Sequence, residues 1–481
     1  LTVKKVVTNL QKLSTMEGQG TVDKKVKLIA ELLGQGSPLE ARYLVRTVLE
    51  DLRVGVGDGT LRDAIVWCFF GTETKINYDE EKKKIDPENR ERYKELCEKT
   101  QRAYDMLNDW GAVAELVKEK GEKGLEKTTL TVGVPTKVML CQKADSVEHA
   151  FERLGKPAAF EFKYDGFRLL VHKKNDQVWL FTRRLENVSK QFPEVVEYVK
   201  KYIKAKLVVL DTEAVGFDAK TGKYLPFQNI SQRIKRKYHI DEMAKKFPVE
   251  LQVFDVLAHE GEVMMDKGYQ ERRKIIEKIV TDEPKKIRCS KQLVTSDLKK
   301  AQQFYDQALT AGEEGLIAKK LESVYKPGSR VGFQVKIKPV METLDLVITG
   351  ATWGEGKRSQ WLSSFNVSCY DKNNDEFLSL GQVGTGIKEL PGEEGVEDWV
   401  TFDELTKLLE PLIVSEKGRS VVVKEKILIE VNYEEVQKSP NNDSGYALRF
   451  PRVLRLRLDK GLSDVSSLHL VQDLYDGQRN R

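Results

Sequence analysis

Glu161-Phe162-Lys163-Tyr164-Asp165-Gly166-Phe167-Arg168 sets a lysine among acidic residues at the end of a β-like run. Ala158-Ala159-Phe160-Glu161-Phe162 reads as a short strand, and Phe167-Arg168-Leu169-Leu170-Val171-His172 reads as the next. The Asp-Gly joint between them fits a tight hairpin turn, because both residues tolerate backbone angles that others avoid. A lysine held there can act as a nucleophile toward a phosphorus or carbonyl centre. Alone, Lys-Tyr-Asp-Gly also fits a plain surface hairpin, so its neighbours along the chain decide between the readings.

Downstream, functional side chains recur at the ends of short apolar runs. Thr182-Arg183-Arg184 follows Val178-Trp179-Leu180-Phe181, and Asp211-Thr212-Glu213 follows Leu207-Val208-Val209-Leu210. Phe254-Asp255 sits in Leu251 to Leu257. Then come Glu313-Glu314-Gly315-Leu316-Ile317-Ala318-Lys319-Lys320, Lys326-Pro327-Gly328-Ser329-Arg330 and Lys336-Ile337-Lys338. Near the end, Arg449-Phe450-Pro451-Arg452-Val453-Leu454-Arg455-Leu456-Arg457-Leu458-Asp459-Lys460 is a dense basic strand, which also fits an edge strand whose charges block aggregation. Gly354-Glu355-Gly356-Lys357-Arg358 falls short of a phosphate loop, since Arg358 stands where Ser or Thr is needed, and reads as a hairpin turn.

The pattern changes twice along the 481 residues. Up to about Leu130 it is helical, with apolar residues three and four apart in Val22 to Leu33 and Ala41 to Leu52, and Ser37-Pro38-Leu39-Glu40 as a helix start. The glycine run Arg53-Val54-Gly55-Val56-Gly57-Asp58-Gly59-Thr60 fits either a tight turn or a phosphate approach. Lys118 to Lys127 reads as a solvated edge or linker. The middle is mixed α/β, with helices at Arg272 to Val280 and Leu298 to Ala311. Beyond Thr343 short strands and one helix near Thr406 to Leu412 suit an OB-type barrel, which commonly binds nucleic acid. The predicted fold class is therefore multidomain α + α/β + β. Its parts are a helical domain over residues 1–137, a mixed domain with antiparallel sheets over 138–340, and an OB-fold domain over 341–481.

Composition narrows the class. At 40% hydrophobic the chain can build cores, and its 32% charged residues, dominated by Lys and Glu, resemble heat-adapted proteins with ion-pair networks. The net charge of +5 leaves any polyanion to meet local basic patches. The five cysteines show no Cys-x-x-Cys pair, which argues against zinc or a disulfide framework and for a reducing intracellular compartment. No apolar run approaches ~18 residues, so no membrane span is expected. The chain opens on Leu1 inside a helix-like pattern, so a preceding amino-terminal part is expected.

In order and spacing these motifs resemble those of the covalent nucleotidyltransferases, which comprise DNA ligases, RNA ligases and capping enzymes. Glu40 to Leu49 and Arg449-Phe450-Pro451-Arg452 resemble the ATP-dependent DNA ligases of archaea and eukaryotic nuclei, the archaeal branch most. The resemblance implies that residues 1–137 form a DNA-binding domain and 138–340 an adenylation domain, and that Lys163 attacks the α-phosphate of ATP and keeps AMP. With a resting pKa near ~10.4, it would need Lys336, Lys338 and Mg²⁺ nearby to favour the neutral amine. Asp165 joins these as a catalytic residue. Phe254 would stack on adenine, Glu161 would lie near its edge, and Arg168 would contact the ribose. Arg183, Arg330 and Lys319 would also bind the nucleotide, the arginines through phosphate. Glu213 and Glu314 would hold Mg²⁺ or ribose. Arg457 and Lys460 would close over the outer phosphates, with Asp345 as the pivot.

The implied partner is nicked duplex DNA, with a sliding clamp expected from the resemblance although the chain shows no clear clamp-binding peptide, and the protein is expected to be a monomer in the cytoplasm or nucleoid. Two departures stand out. Gln334 replaces a tryptophan common in relatives, and Leu458 replaces a common acidic residue; neither removes a reacting group. The rivals are an RNA-ligase or capping-type nucleotidyltransferase, which usually starts near the lysine motif, and a non-catalytic nucleic-acid-binding protein. An NAD⁺-dependent ligase would add a cysteine-rich zinc module.

Overall fold

The computed structural model describes residues 1–16, 20–49, 52, 54–81, 84–225, 227–234, 238–339, 342–390 and 400–479. Arg53 of the glycine run, and residues 340 and 341 at the predicted domain junction, lie outside them. The chain divides into two compact units, Leu1–Val134 and Pro135–Arg481.

The first unit is built of helices. Ser37 caps Pro38–Val48 through a reciprocal bond with Glu40, with Pro38 at the first helical position, as the local sequence dictates. Helices Asp58–Thr74, Arg90–Leu107 and Trp110–Glu126 bury a core of Ile65, Val66, Phe70, Leu96, Val113, Val117 and Leu125, and Tyr104 stacks on Trp110 at 4.0 Å. The glycine run leads into Asp58–Thr74, with Gly55 in the left-handed region at φ 74°. Lys118 to Lys127 is no linker. It belongs to Trp110–Glu126, kinked at Gly121, where Glu122 and Glu126 pair with basic side chains of Arg90–Leu107. A small antiparallel hairpin, Ile76–Asp79 with Lys84–Pro87, was not foreseen.

The second unit carries three larger sheets. A six-stranded sheet runs Ile287–Cys289, Val249–His259, Leu207–Gly216, Phe167–Lys174, Gln177–Thr182, with Glu262–Val263 on Val249–His259. A five-stranded sheet runs Gln292–Thr295, Ala158–Phe162, Leu316–Lys320, Arg330–Ile337, Leu140–Ala144. Both are antiparallel except for two pairs: Ile287–Cys289 runs parallel to Val249–His259, and Leu140–Ala144 parallel to Arg330–Ile337. Helix Pro193–Tyr202 packs its apolar side against the first sheet, and helices Val147–Leu154 and Leu298–Thr310 against the second.

This arrangement revises the reading of the lysine stretch. Ala158–Phe162 and Phe167–Lys174 belong to different sheets and do not pair, so Lys163 to Gly166 is a crossover and not a hairpin turn. Gly166 answers to space and not to backbone angle: a Cβ there would lie 2.4 Å from the Ala214 carbonyl oxygen. The run Asp211-Thr212-Glu213 does not end a strand either. It lies inside Leu207–Gly216, between two partner strands, and Asp211 and Thr212 are fully buried.

The seven-stranded third sheet runs Glu376–Val383, Leu362–Asp371, Leu344–Trp353, Ser420–Val423, Ile413–Lys417, while Leu428–Asn432 pairs with both Leu344–Trp353 and Arg452–Leu456. Leu344–Trp353 is long enough to take Leu428–Asn432 along its first half and Ser420–Val423 along its second. The expected OB-type barrel is not closed: among the described residues no ladder joins the end strands. A backbone bond from Val453 N–H to Thr385 O, 2.9 Å, spans the gap. Helix Phe402–Leu409 covers the sheet, and helix Leu468–Arg479, absent from the sequence reading, joins the same core through Val471 and Tyr475. Gly354 to Arg358 is the turn between Leu344–Trp353 and Leu362–Asp371, as read.

Candidate active site

Lys163 sits where the two sheets of the α/β region meet. Its backbone N–H donates to Gly315 O and its carbonyl accepts from Glu314 N–H, both at 2.9 Å. This reciprocal pair fixes the lysine against the segment carrying Glu313 and Glu314. Gly315 has φ 132°, and a Cβ on it would meet the Ile337 carbonyl at 2.1 Å, so only glycine lets Lys338 approach Glu314 so closely.

Glu314 Oε2 pairs at once with the Lys163 ammonium and with Lys338 Nζ, the latter at 2.6 Å. Burial alone would raise the Glu314 carboxyl; the two lysines overcome it and hold it well below the usual carboxylate range. Lys338 continues to Glu434 at 3.1 Å, and Glu434 to Lys336 at 3.5 Å. The immediate partner of Lys163 is therefore an acid, where neighbouring cations were expected, and that pair must part before the amine can attack.

The other carboxyls near Lys163 are shifted the opposite way. Burial, then the charge of Glu314, raises Asp165, whose Oδ2 accepts from Phe227 N–H at 3.3 Å. Burial raises Glu213 to about 8 and Glu313 to about 8, with Lys163 opposing in both cases. Glu313 Oε1 has no hydrogen-bond partner. The cluster thus holds more carboxyls than its lysines can neutralise, and all the donors are hard oxygens. Among the described residues no three acidic, histidine or cysteine side chains form a ready-made metal cage. The oxygen donors themselves fit Mg²⁺, which takes one or two carboxylates and completes its shell with water and phosphate oxygens.

A second group lies alongside. Strand pairing sets Arg168 opposite Glu213. The Arg168 fork grips Asp211 through Nε at 2.8 Å and Nη2 at 2.5 Å, Tyr325 O–H donates to the same carboxylate at 2.6 Å, and Arg168 lies 5.4 Å from the Phe254 ring centre. Lys319 Nζ lies 5.1 Å from the same ring and pairs with Glu161 Oε2 at 2.6 Å. Glu161 is buried and accepts further bonds from Tyr269, Ser290, Gln292 and Arg273. Its carboxylate is fully committed within the protein.

Four of the predicted residues face solvent or are paired outside this cluster. Arg183 is exposed just beyond Gln177–Thr182, and Arg330 is exposed at the start of Arg330–Ile337, the end opposite Lys336. Arg457 and Lys460 are both tied to Asp345, at 2.9 and 2.7 Å. Sequence reasoning missed Glu434, Glu313 and Asp211. Glu313 and Asp211 lay inside quoted runs, and their neighbours Glu314 and Glu213 drew the attention. Nothing local marks Glu434.

Comparison with known proteins agrees with this geometry. Family models match as the ATP dependent DNA ligase domain over residues 138–338, the DNA ligase N terminus over 1–66 and the ATP dependent DNA ligase C terminal region over 358–460. The chain belongs to the ATP-dependent DNA ligase family, enzymes that join DNA strands through a lysine-bound AMP made from ATP, with Mg²⁺. Its relatives include archaeal DNA ligases. It is 48% identical to the DNA ligase of Nanoarchaeum equitans over 479 residues, covering 100% of this chain and 80% of that one. It is 42% identical to the DNA ligase of Thermococcus fumicolans (99% and 78%) and 41% identical to that of Archaeoglobus fulgidus (99% and 78%). No helix among the described residues is long and apolar enough to cross a membrane.

Proposed function

We propose that Lys163 is the nucleophile of an ATP-dependent DNA ligase acting on nicked duplex DNA, with Glu314, Lys336 and Lys338 arranging the phosphate it attacks. The observation that carries this is the single Glu314 oxygen shared by Lys163 and Lys338. A phosphate arriving there meets the nucleophile and a cation together, and positioning with charge neutralisation is most of what phosphoryl transfer needs. In the first step the Lys163 amine bonds to the α-phosphorus, the bond to the β-phosphate breaks, and pyrophosphate and the lysine's proton leave. In the second, an oxygen of the 5′-phosphate at the nick displaces the lysine, which regains a proton. In the third, the 3′-hydroxyl attacks that 5′-phosphate and AMP departs.

Phe254, with Arg168 and Lys319 beside its ring, is the platform for adenine, and Glu161 orders that side through Lys319. Arg168 serves the ribose side. Glu213 and Glu314 are the carboxylates for Mg²⁺, which when bound would screen the charge of the phosphates. Asp165 shapes the crossover. Arg183 and Arg330 serve phosphate. Arg457 and Lys460 reach the outer phosphates only after release from Asp345. We further read residues 1–137, 138–340 and 341–481 as the helical, adenylation and OB-type domains, the last an opened barrel. The protein acts as a monomer where the DNA is, in the cytoplasm or nucleoid of an archaeal-type cell, with a sliding clamp as a further partner.

The test is to incubate the protein with Mg²⁺ and ATP labelled at the α-phosphate, denature it and follow label on the protein, then to chase with nicked duplex. Wild-type protein takes up label and discharges it with sealing. Lys163→Ala takes up none and still binds DNA. Sealing by Lys163→Ala would overturn the reading, and discharge only onto RNA ends would reassign the substrate.

A further inference from the structure

Glu434 lies at the entry to the hairpin Glu435–Lys438 with Tyr446–Arg449, in the region of the third sheet, yet its carboxylate reaches the lysines of the α/β region. Its backbone N–H donates to Arg449 O at 2.9 Å, the preceding Tyr433 is buried, and the following Glu435 pairs with Arg449 at 2.9 Å. The side chain therefore projects from a fixed base. Its oxygens divide between Lys336 and Lys338, and so extend the alternating series Lys163, Glu314, Lys338, Glu434, Lys336.

A carboxylate and a phosphate offer an ammonium the same kind of anionic oxygen face. We infer that Glu434 is a positioning residue that occupies Lys336 and Lys338 in place of the nucleotide's phosphate, so that ATP binds by displacing it. The inference rests on the reading that those two lysines serve the phosphate. The pair is built for exchange. Glu434 is 36% exposed and Lys336 24%, whereas the buried Glu161–Lys319 pair is 3% exposed on each side. Water-accessible pairs of this kind are weak and screened by salt. Because Glu434 belongs to the carboxyl-terminal sheet region and both lysines to Arg330–Ile337 and the residue after it, nucleotide entry and loosening of that region become a single exchange of anions.

The experiment compares wild type, Glu434→Gln, Glu434→Asp and Lys338→Ala, each first stripped of bound AMP with pyrophosphate. It reads the rate of α-label uptake against ATP concentration, at low and high potassium chloride, with melting temperature as the check on folding. Removing the competing charge should lower the half-saturating ATP for Glu434→Gln by roughly threefold to tenfold at low salt, and the gap should narrow at high salt. Glu434→Asp, which keeps the charge, should stay within about twofold of wild type. A Glu434→Gln half-saturation equal to or above wild type, with Lys338→Ala defective in labelling, would overturn the inference alone. Labelling by Lys338→Ala at wild-type half-saturation would remove the reading beneath it.

Discussion

Glu213, a proposed Mg²⁺ ligand, illustrates how a buried carboxyl costs the protein that holds it. Burial raises it to about 8, from an ordinary value of 4.5, and Lys163 and Arg168 only partly oppose that. A folded-state pKa above the unfolded one means that the folded protein binds the proton more tightly. The associated stability is complete below about 4.5 and is lost as pH rises through 8. Glu213→Gln removes the charge that burial opposes, so without ligands the variant should be more stable than wild type at pH 8.5 by about 1–3 kcal/mol and indistinguishable from it near pH 4.5. Thermal melts at the two pH values decide it, and a wild-type melting temperature equal to or above the variant's at pH 8.5 would contradict the assignment. The same variant should bind Mg²⁺ less well, since a carboxyl suited to a cation is an unfavourable buried charge without one. Lys163, Glu314, Lys336 and Lys338 can be singled out in the sequence because their motifs are short and ordered along the chain. Glu434 was not, because its proximity to Lys336 exists only after the chain has folded back across about a hundred residues, and no local pattern encodes a pairing at that separation.

At the scale of elements, Arg90–Leu107 shows where the large charged fraction goes. Arg92 reaches Glu73 on Asp58–Thr74 and Glu122 on Trp110–Glu126, both bonds within 2.6 Å, as well as Glu95 on its own helix. Lys99 adds Glu95, Glu122 and Glu126. The network ties together the helices whose apolar faces make the core of this unit. Bonds from Arg92 and then Lys99 hold the Glu122 carboxyl down at about 2. A depressed carboxyl stabilises the fold above its unfolded value, near 4.5, and that contribution fades as pH falls toward 2. Arg92→Ala should therefore lower stability by about 1–2 kcal/mol at neutral pH and low salt, less in high salt, and by little once the pH is below 2. Urea titrations across that pH range measure it; a penalty independent of pH would assign the loss to packing. Helices such as Pro38–Val48 were readable because their caps and periodicity are local. The segment Lys118 to Lys127 misled because its stabilising partners lie on another helix. The lysine crossover misled for a related reason: Asp-Gly commonly makes hairpins, and here the two strands it joins are claimed by separate sheets.

At the scale of the molecule, a net charge of +5 is small for a protein that must hold a polyanion, so the arrangement of charge matters more than its sum. The basic strand near the carboxyl terminus looks in sequence like a row of free phosphate contacts. In the folded chain Arg449 pairs with Glu435, Arg455 with Glu430, Arg457 with Asp345 and Glu430, and Lys460 with Asp345. DNA taken up by this strand would exchange those carboxylates for phosphates, the same kind of exchange as that proposed for the nucleotide and Glu434. A cation already neutralised from within contributes less to counterion release than a free one, since its gain on binding phosphate is offset by a carboxylate set loose. Affinity for nicked duplex should still fall log-linearly with salt, with a slope steeper than about −3, since each phosphate neutralised contributes about −0.9. Glu430→Gln, which removes the carboxylate charge that Arg455 and Arg457 share, should steepen that slope by about one. Anisotropy titrations of wild type and variant at several salt concentrations provide both numbers. A wild-type slope near zero would exclude phosphate contacts as the basis of binding. A slope unchanged by Glu430→Gln would place the DNA elsewhere on the protein, and leave the basic strand to its carboxylates and to the outer phosphates of ATP.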